Sequence, residues 1–293
     1  MNHLPVQSIP AVYHGALDYA ELEQLGLSPA EVLDFSVNSN PFGPSQAVKQ
    51  AVACTPLERY PDRQSLALRR ALAAHQQCEI NHICVGNGTA ELIITLTAVC
   101  AKPGESALII GPTFGEYERA CRLAGVIPHF WNASAADDFD IHPAEINARI
   151  VNLKPRLVFI CNPNNPTGRL LPVETLHQWA ETYPDVFFVF DEAYLSFIST
   201  QASAFSSSRA NILVLRSMTK DYALAGLRLG YVLASEAIST ALAERLPPWN
   251  VNAAAQAAGL AALNDPLYDQ QWAQLPLLKQ ALVSELAKLG LTA

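Results

Sequence analysis

Short apolar runs alternate with amphipathic stretches along most of the chain, and this alternation predicts strands and helices in turn. The apolar runs fall at residues 83–85, 106–110, 126–130, 157–161, 186–190, 213–215 and 229–233. Runs of this length bounded by turn residues read as buried strands. Helical spacing recurs at 17–25, 65–74, 92–99 and a stretch ending near 124, and Pro172 opens another helix. Ser28-Pro29-Ala30-Glu31 combines a capping residue with Pro at the first helical position. Residues 33–37 predict a further short strand, and the Asn, Gly and Pro of residues 38–44 predict a turn. An alanine-rich helix is expected at 251–263 and, after the Asn264-Asp265-Pro266 break, a longer one at 267–289. Pro276 predicts a bend or interruption in it.

Such alternation describes an α/β chain whose loops gather at one edge of the sheet. Its 293 residues can bury one large core. With 50% hydrophobic and 16% charged residues, disorder is excluded. A formal charge of -8 argues against nonspecific nucleic-acid binding but leaves room for local anion sites. Cys54, Cys78, Cys84, Cys100, Cys121 and Cys161 form no CxxC pair, which predicts reduced thiols rather than a disulfide framework or zinc site. Asp137, Asp138 and Asp140 read as a solvated loop and helix start, so no metal site is expected. No targeting segment and no apolar run near 18 residues is visible, which predicts a soluble, cytoplasmic protein without membrane contact.

Candidate chemistry concentrates at residues 214–231, where an apolar run passes into Arg216-Ser217-Met218-Thr219-Lys220 and Arg228 follows eight residues after the lysine. Ser217 and Arg228 suit a phosphate, one as a neutral donor and the other as a planar cation. A second anion site is expected at Gly86-Asn87-Gly88-Thr89-Ala90, where the glycines permit close approach and the amides around Thr89 and Ala90 open a helix. This turn is neither a Walker loop nor a GxGxxG fingerprint. Asp191 lies at the end of its apolar run.

Three motifs, NPNNPTG at 162–168, FDEAY at 190–194 and SMTKDYALAGLRLGY at 217–231, resemble the pyridoxal-phosphate-dependent class I/II aminotransferases of fold type I. Their order and spacing carry the resemblance, with Lys220 following Asp191 by 29 residues. The resemblance implies a three-layer α/β/α, mostly parallel sheet of the aspartate-aminotransferase-like kind. It further implies an N-terminal arm and small-domain segment at 1–50, a large cofactor-binding domain at 51–250, and C-terminal helices at 251–293. These helices would lead toward a small domain that is truncated or missing, and that domain normally carries the arginine clamping the substrate carboxylate. Under this resemblance, Lys220 would capture the aldehyde of pyridoxal 5'-phosphate and then carry the proton. Asp191 would pair with the ring nitrogen. Asn165 and Tyr194 would hold the phenolic oxygen, and Phe114 would cover a ring face or else serve as ordinary core. Gly88, Thr89, Ala90, Ser217 and Arg228 would hold the phosphate. Tyr60 resembles the tyrosine that reaches the neighbouring subunit's cofactor, implying a homodimer with shared active sites.

The early elements His14-Gly15-Ala16 and LGLSPAEVLDFSVNSNPFGPS at 25–45 are similar to threonine-phosphate decarboxylases of cobalamin biosynthesis, although Ala16 stands where those enzymes carry a second glycine. His14, Asn40 and Asn165 are the candidates for substrate contact. The resemblance implies decarboxylation of O-phospho-L-threonine to 1-aminopropan-2-ol O-phosphate. Two alternatives stay open: histidinol-phosphate transamination with 2-oxoglutarate, and a cofactor-binding but catalytically defective homologue.

Overall fold

The computed structural model describes residues 12, 15–198 and 202–291. The chain opens with helix α1 (Tyr19–Leu25), α2 (Gln46–Ala53) and α3 (Leu66–His75). Strand β1 (Ile83–Asn87) runs directly into α4 (Gly88–Cys100), and β2 (Ser106–Gly111), α5 (Glu116–Leu123), β3 (Ile127–Asn132) and α6 (Pro143–Leu153) follow. Next come β4 (Leu157–Cys161), α7 (Val173–Thr182), β5 (Phe187–Asp191), β6 (Ile212–Ser217) and β7 (Leu229–Leu233). The chain then continues as α8 (Glu236–Arg245), α9 (Ala253–Leu263) and α10 (Leu267–Lys288).

Among the described residues the strands form one seven-stranded sheet in the order β1-β7-β6-β5-β4-β2-β3. β7 runs antiparallel to both its neighbours, and the remaining pairs are parallel. The period-2 alternation of a strand sends successive side chains to opposite faces. Phe188, Phe190, Ile212 and Val214 therefore join one core with α2, α3, α6, α7, α9 and Tyr268. Val189, Leu213 and Leu215 join a second core with α4, α5 and Leu242 of α8. This is the expected three-layer α/β/α arrangement.

All seven predicted strands of the sheet form, two of them with the predicted bounds and the others with ends shifted by at most two residues. The strand expected at 33–37 does not. Asp34 Oδ1 instead accepts from both the amide and the hydroxyl of Ser36 at 2.7 and 2.5 Å, a local turn that competes with strand pairing. Leu33 and Phe35 are left exposed. Pro276 lies inside α10 without interrupting it, on an exposed stretch where solvent can take the freed carbonyl. The six cysteines are all free thiols. Asp138 and Asp140 pair with Arg169, and no metal-holding cluster occurs among the described residues. Nor is any described helix long and apolar enough to cross a membrane.

Candidate active site

The parallel strands β4, β5 and β6 end together at one edge of the sheet. Register pairs Cys161 with Asp191 and Asp191 with Leu215, so Asp191 and Ser217 leave neighbouring strands at nearly the same level. Because β7 is antiparallel, its start lies at this same edge, with Ser217 opposite Gly230 and Asn87 of β1 opposite Leu229. Topology thus collects the turns after β1, β4, β5 and β6, together with Arg228 just before β7.

The anion-binding corner is built by close backbone approach. Gly88 has φ +78, and a Cβ there would lie 2.8 Å from Arg228 Nη2. A Cβ on Gly230 would stand 3.0 Å from the Thr89 amide nitrogen. Only glycine lets the start of α4 sit this close to β7 and Arg228. The first-turn amides of α4 have no intrahelical partners and carry the positive end of the helix dipole. Arg228 adds a full charge from an exposed position with φ 58. Ser217 is buried, and its hydroxyl pairs with Thr219 Oγ1 at 2.7 Å. Thr219 was not singled out from sequence, although its place two residues after Ser217 was a usable signal.

Lys220 is half-buried between opposite influences. Burial lowers its pKa first and Arg228 lowers it further, while Asp191 opposes both. Its peptide is held from behind: the Asn40 amide donates to the Lys220 carbonyl at 2.9 Å. The Asn40 side-chain amide donates to the Asp221 carbonyl at 3.0 Å and to Gln271 Oε1 at 2.8 Å, and its oxygen accepts from Phe42 N. With both amide protons engaged in a buried setting, Asn40 is a bracket on the lysine segment rather than an open donor for a ligand.

Asp191 is almost fully buried. Tyr117 donates to its Oδ2 at 2.8 Å and the Ala193 amide to its Oδ1 at 3.0 Å. Burial pushes its pKa up to about 6, against the pull of these hydrogen bonds and of Lys220. Tyr117 lies 74 residues from Asp191, and nothing in the local sequence announces the contact.

Asn162 and Asn164 brace their own loop. Asn162 exchanges two hydrogen bonds with Leu171, and Asn164 donates to Pro112 O and Thr167 Oγ1. The half-buried Asn165 side chain has no partner among the described residues. Burial, followed by Cys161 and Asp191, raises the Tyr194 pKa to about 12 against an opposing influence of Asn38, so it remains a donor. Phe114 meets Tyr117 edge-on at 5.7 Å. Tyr60 does not join this group within its own chain; it projects 80% exposed and stacks on Trp249 at 4.6 Å. His14 lies outside the described residues.

Chemically, this edge of the sheet offers an amine, a buried carboxylate, a cationic anion corner and hydroxyl and amide donors. The family model for Aminotransferase class I and II matches residues 30–293. The chain is 39% identical over 255 residues to a threonine-phosphate decarboxylase of Salmonella typhimurium, covering 84% of this chain and 68% of the relative. It is 35% identical over 251 residues to a histidinol-phosphate aminotransferase of Moorella thermoacetica, covering 83% of this chain and 64% of the relative. The chain thus spans about two thirds of the length of these relatives. In fold it is similar to a histidinol-phosphate aminotransferase of Sinorhizobium meliloti solved in complex with pyridoxal-5'-phosphate, with a TM-score of 0.84 at 23% identity. That likeness covers 93% of this chain and 75% of the other. On the strength of the family match and the Salmonella relative, the chain belongs to the class I and II aminotransferase family.

Proposed function

We propose that this chain binds pyridoxal 5'-phosphate at the edge just described and uses it to decarboxylate O-phospho-L-threonine. One observation carries the cofactor reading: Lys220 lies within electrostatic reach of both Asp191 and Arg228, and Arg228 packs on Gly88 at the start of α4. An amine, a carboxylate and a phosphate corner are what the two ends and the aldehyde of this cofactor require.

When bound, pyridoxal phosphate supplies an aldehyde that captures amines and a ring that accepts the electron pair released at the substrate α-carbon. The protein does the rest. Lys220, with its pKa lowered by burial and Arg228, has a larger neutral fraction and would be the amine that holds the cofactor's aldehyde end. Asp191 would accept from the ring nitrogen and favour its cationic form. Arg228, Ser217 and the amides of Thr89 and Ala90 bind the phosphate, and Gly88 keeps them close. Asn165 and Tyr194 would donate to the phenolic oxygen, and Phe114 would cover a ring face. Lys220 would also be the group that delivers a proton to the substrate α-carbon. Loss of the carboxylate as carbon dioxide and gain of that proton give 1-aminopropan-2-ol O-phosphate. His14 belongs to this reading as a substrate contact, and Asn40 as support for the Lys220 segment. Exposed Tyr60 is available to reach a neighbouring subunit's cofactor phosphate, so the working form is a homodimer.

The decarboxylase reading is supported by the elements at 14–16 and 25–45 and by the Salmonella relative. Histidinol-phosphate transamination is the second reading, favoured by the Moorella relative. It would break the Cα–H bond instead and require a keto-acid acceptor. The two separate in one assay: carbon dioxide released from O-phosphothreonine with no keto acid supports the first. Turnover of histidinol phosphate only with a keto acid replaces it with the second, and turnover of neither identifies a cofactor-binding homologue without activity. Borohydride reduction followed by peptide mass analysis should place a phosphopyridoxyl group on Lys220, and Lys220→Ala should abolish it.

A further inference from the structure

Among the described residues, Tyr117 is the one fully buried hydroxyl aimed at the carboxylate that the proposed function needs, and no motif includes it. Its ring lies parallel to Phe159 at 4.9 Å with a 10° interplanar angle, and Phe114 meets it edge-on at 82°. These contacts fix the ring, and the ring fixes the hydroxyl 2.8 Å from Asp191 Oδ2. Ala193 N holds the other oxygen at 3.0 Å. The carboxylate is therefore gripped at both oxygens by neutral donors, which set its plane while leaving a lone pair for a cationic partner.

We propose that Tyr117 is a positioning residue for Asp191, holding its carboxylate in orientation and in the ionised form that pairs with the cofactor's ring nitrogen. The proposal rests on the reading of Asp191 as the ring partner. Several titratable groups lie near Asp191: Glu192 next in the chain but turned to the other face, Cys161 on β4, Lys220 after β6, Tyr194 beyond β5 and Tyr117 on α5. Burial raises Asp191 most; among the groups that lower it, the Tyr117 hydrogen bond is the largest, ahead of the Ala193 amide and Lys220. Tyr117 itself stays protonated, because burial and then the Asp191 charge hold its pKa well above that of an ordinary tyrosine. Phenylalanine would preserve both ring contacts and remove only the donor. The packing role and the hydrogen-bonding role can thus be separated.

The test is the dissociation constant of pyridoxal phosphate for the wild-type chain, Tyr117→Phe and Asp191→Asn, measured by fluorescence between pH 5.5 and 8.5. Losing the donor raises the Asp191 pKa, so Tyr117→Phe should bind nearly as wild type at pH 8.5 and about tenfold more weakly near pH 6. Lys220 titrates in both proteins and drops out of the difference. A Tyr117→Phe profile that superimposes on wild type, while Asp191→Asn binds weakly at every pH, overturns the proposal and leaves the ring-partner reading intact. If Asp191→Asn also binds as wild type, Asp191 is not the ring partner and both readings fall. Should Tyr117→Phe not fold, 3-fluorotyrosine at position 117 provides a more acidic, stronger donor. It should move the profile to lower pH, and an unmoved profile overturns the proposal.

Discussion

Asp191 and Glu192 are consecutive carboxylates, both nearly inaccessible to solvent, yet they are satisfied in opposite ways. Glu192 has a cation of its own: Arg216 Nη1 lies 3.2 Å from Oε2, which also accepts from Ser203 Oγ at 2.7 Å, while Oε1 accepts from Ala204 N at 2.6 Å. Among the described residues, Asp191 has only neutral donors at hydrogen-bonding distance, Tyr117 and Ala193 N. Strand alternation underlies the contrast. Ser217 and Asp191 leave the sheet with the α4–α5 core, whereas Arg216 leaves by the other face, where it reaches Glu192 and, through Ser196, Asp221. A buried carboxylate that already has its arginine is structural; one held by neutral groups retains capacity for an incoming cation.

The sharpest way to break this comparison is Arg216→Ala. Burial works against the Arg216 charge, but Tyr231, Glu192 and Asp221 together hold it protonated beyond the ordinary arginine range. Removing it leaves Glu192 and Asp221 as buried carboxylates with no cation between them. We expect a loss of about 3–5 kcal/mol in urea unfolding. Asp191→Asn, which deletes a charge without stranding a partner cation, should cost far less.

The second prediction concerns pH. Burial raises Asp191 and Asp221 to about 6, and raises Glu192 as well. A carboxylate whose folded pKa lies above its unfolded one makes the native state bind more protons between the two values. Stability then falls as pH rises through that window. The cofactor-free chain should therefore lose stability from about pH 4 to pH 6, at up to roughly 1.4 kcal/mol per pH unit for each of Asp191 and Asp221, with their penalty fully present above pH 6, and Glu192 adds a slope of the same sign. Urea titrations across this range measure the slope. Asp191→Asn should flatten it by one group's share, and an unchanged slope would show that Asp191 is not held near 6.

How much of this was legible in the sequence follows the same division. The strands were readable because burial on both faces demands continuous apolar runs, such as residues 157–161 and 186–190. Lys220, Asp191 and Arg228 were readable because motif order fixes the turn that each occupies. Missing from that reading were α2, α8 and the body of α6, whose buried positions are few and whose stability comes from packing. Tyr117 and the Asn40 bracket were illegible for a different reason. Their partners lie 74 and 181 residues away, and only the folded sheet edge brings them together. Asn40 also shows how an asparagine in a promising turn can be engaged on the protein's own backbone.

The smallest expected effect tests whether Glu192 is over-determined. Ser203→Ala removes one of the donors to Oε2 but leaves Arg216 and the Ala204 amide in place. A hydrogen bond to a charged group is worth about 1.5–3 kcal/mol when it is not shared. Here the arginine remains on the same oxygen, so a loss of roughly 1 kcal/mol is expected. Because the lost donor favoured the ionised form, the Glu192 pKa should rise further. The destabilisation should accordingly be largest where the Glu192 carboxyl is ionised and fade as falling pH protonates it in both proteins. In a double-mutant cycle with Arg216→Ala the two losses should not add, since both act on one carboxylate oxygen. Strict additivity across that cycle would mean that Ser203 and Arg216 serve Glu192 independently, and the contrast between a closed and an open carboxylate would then rest on Arg216 alone.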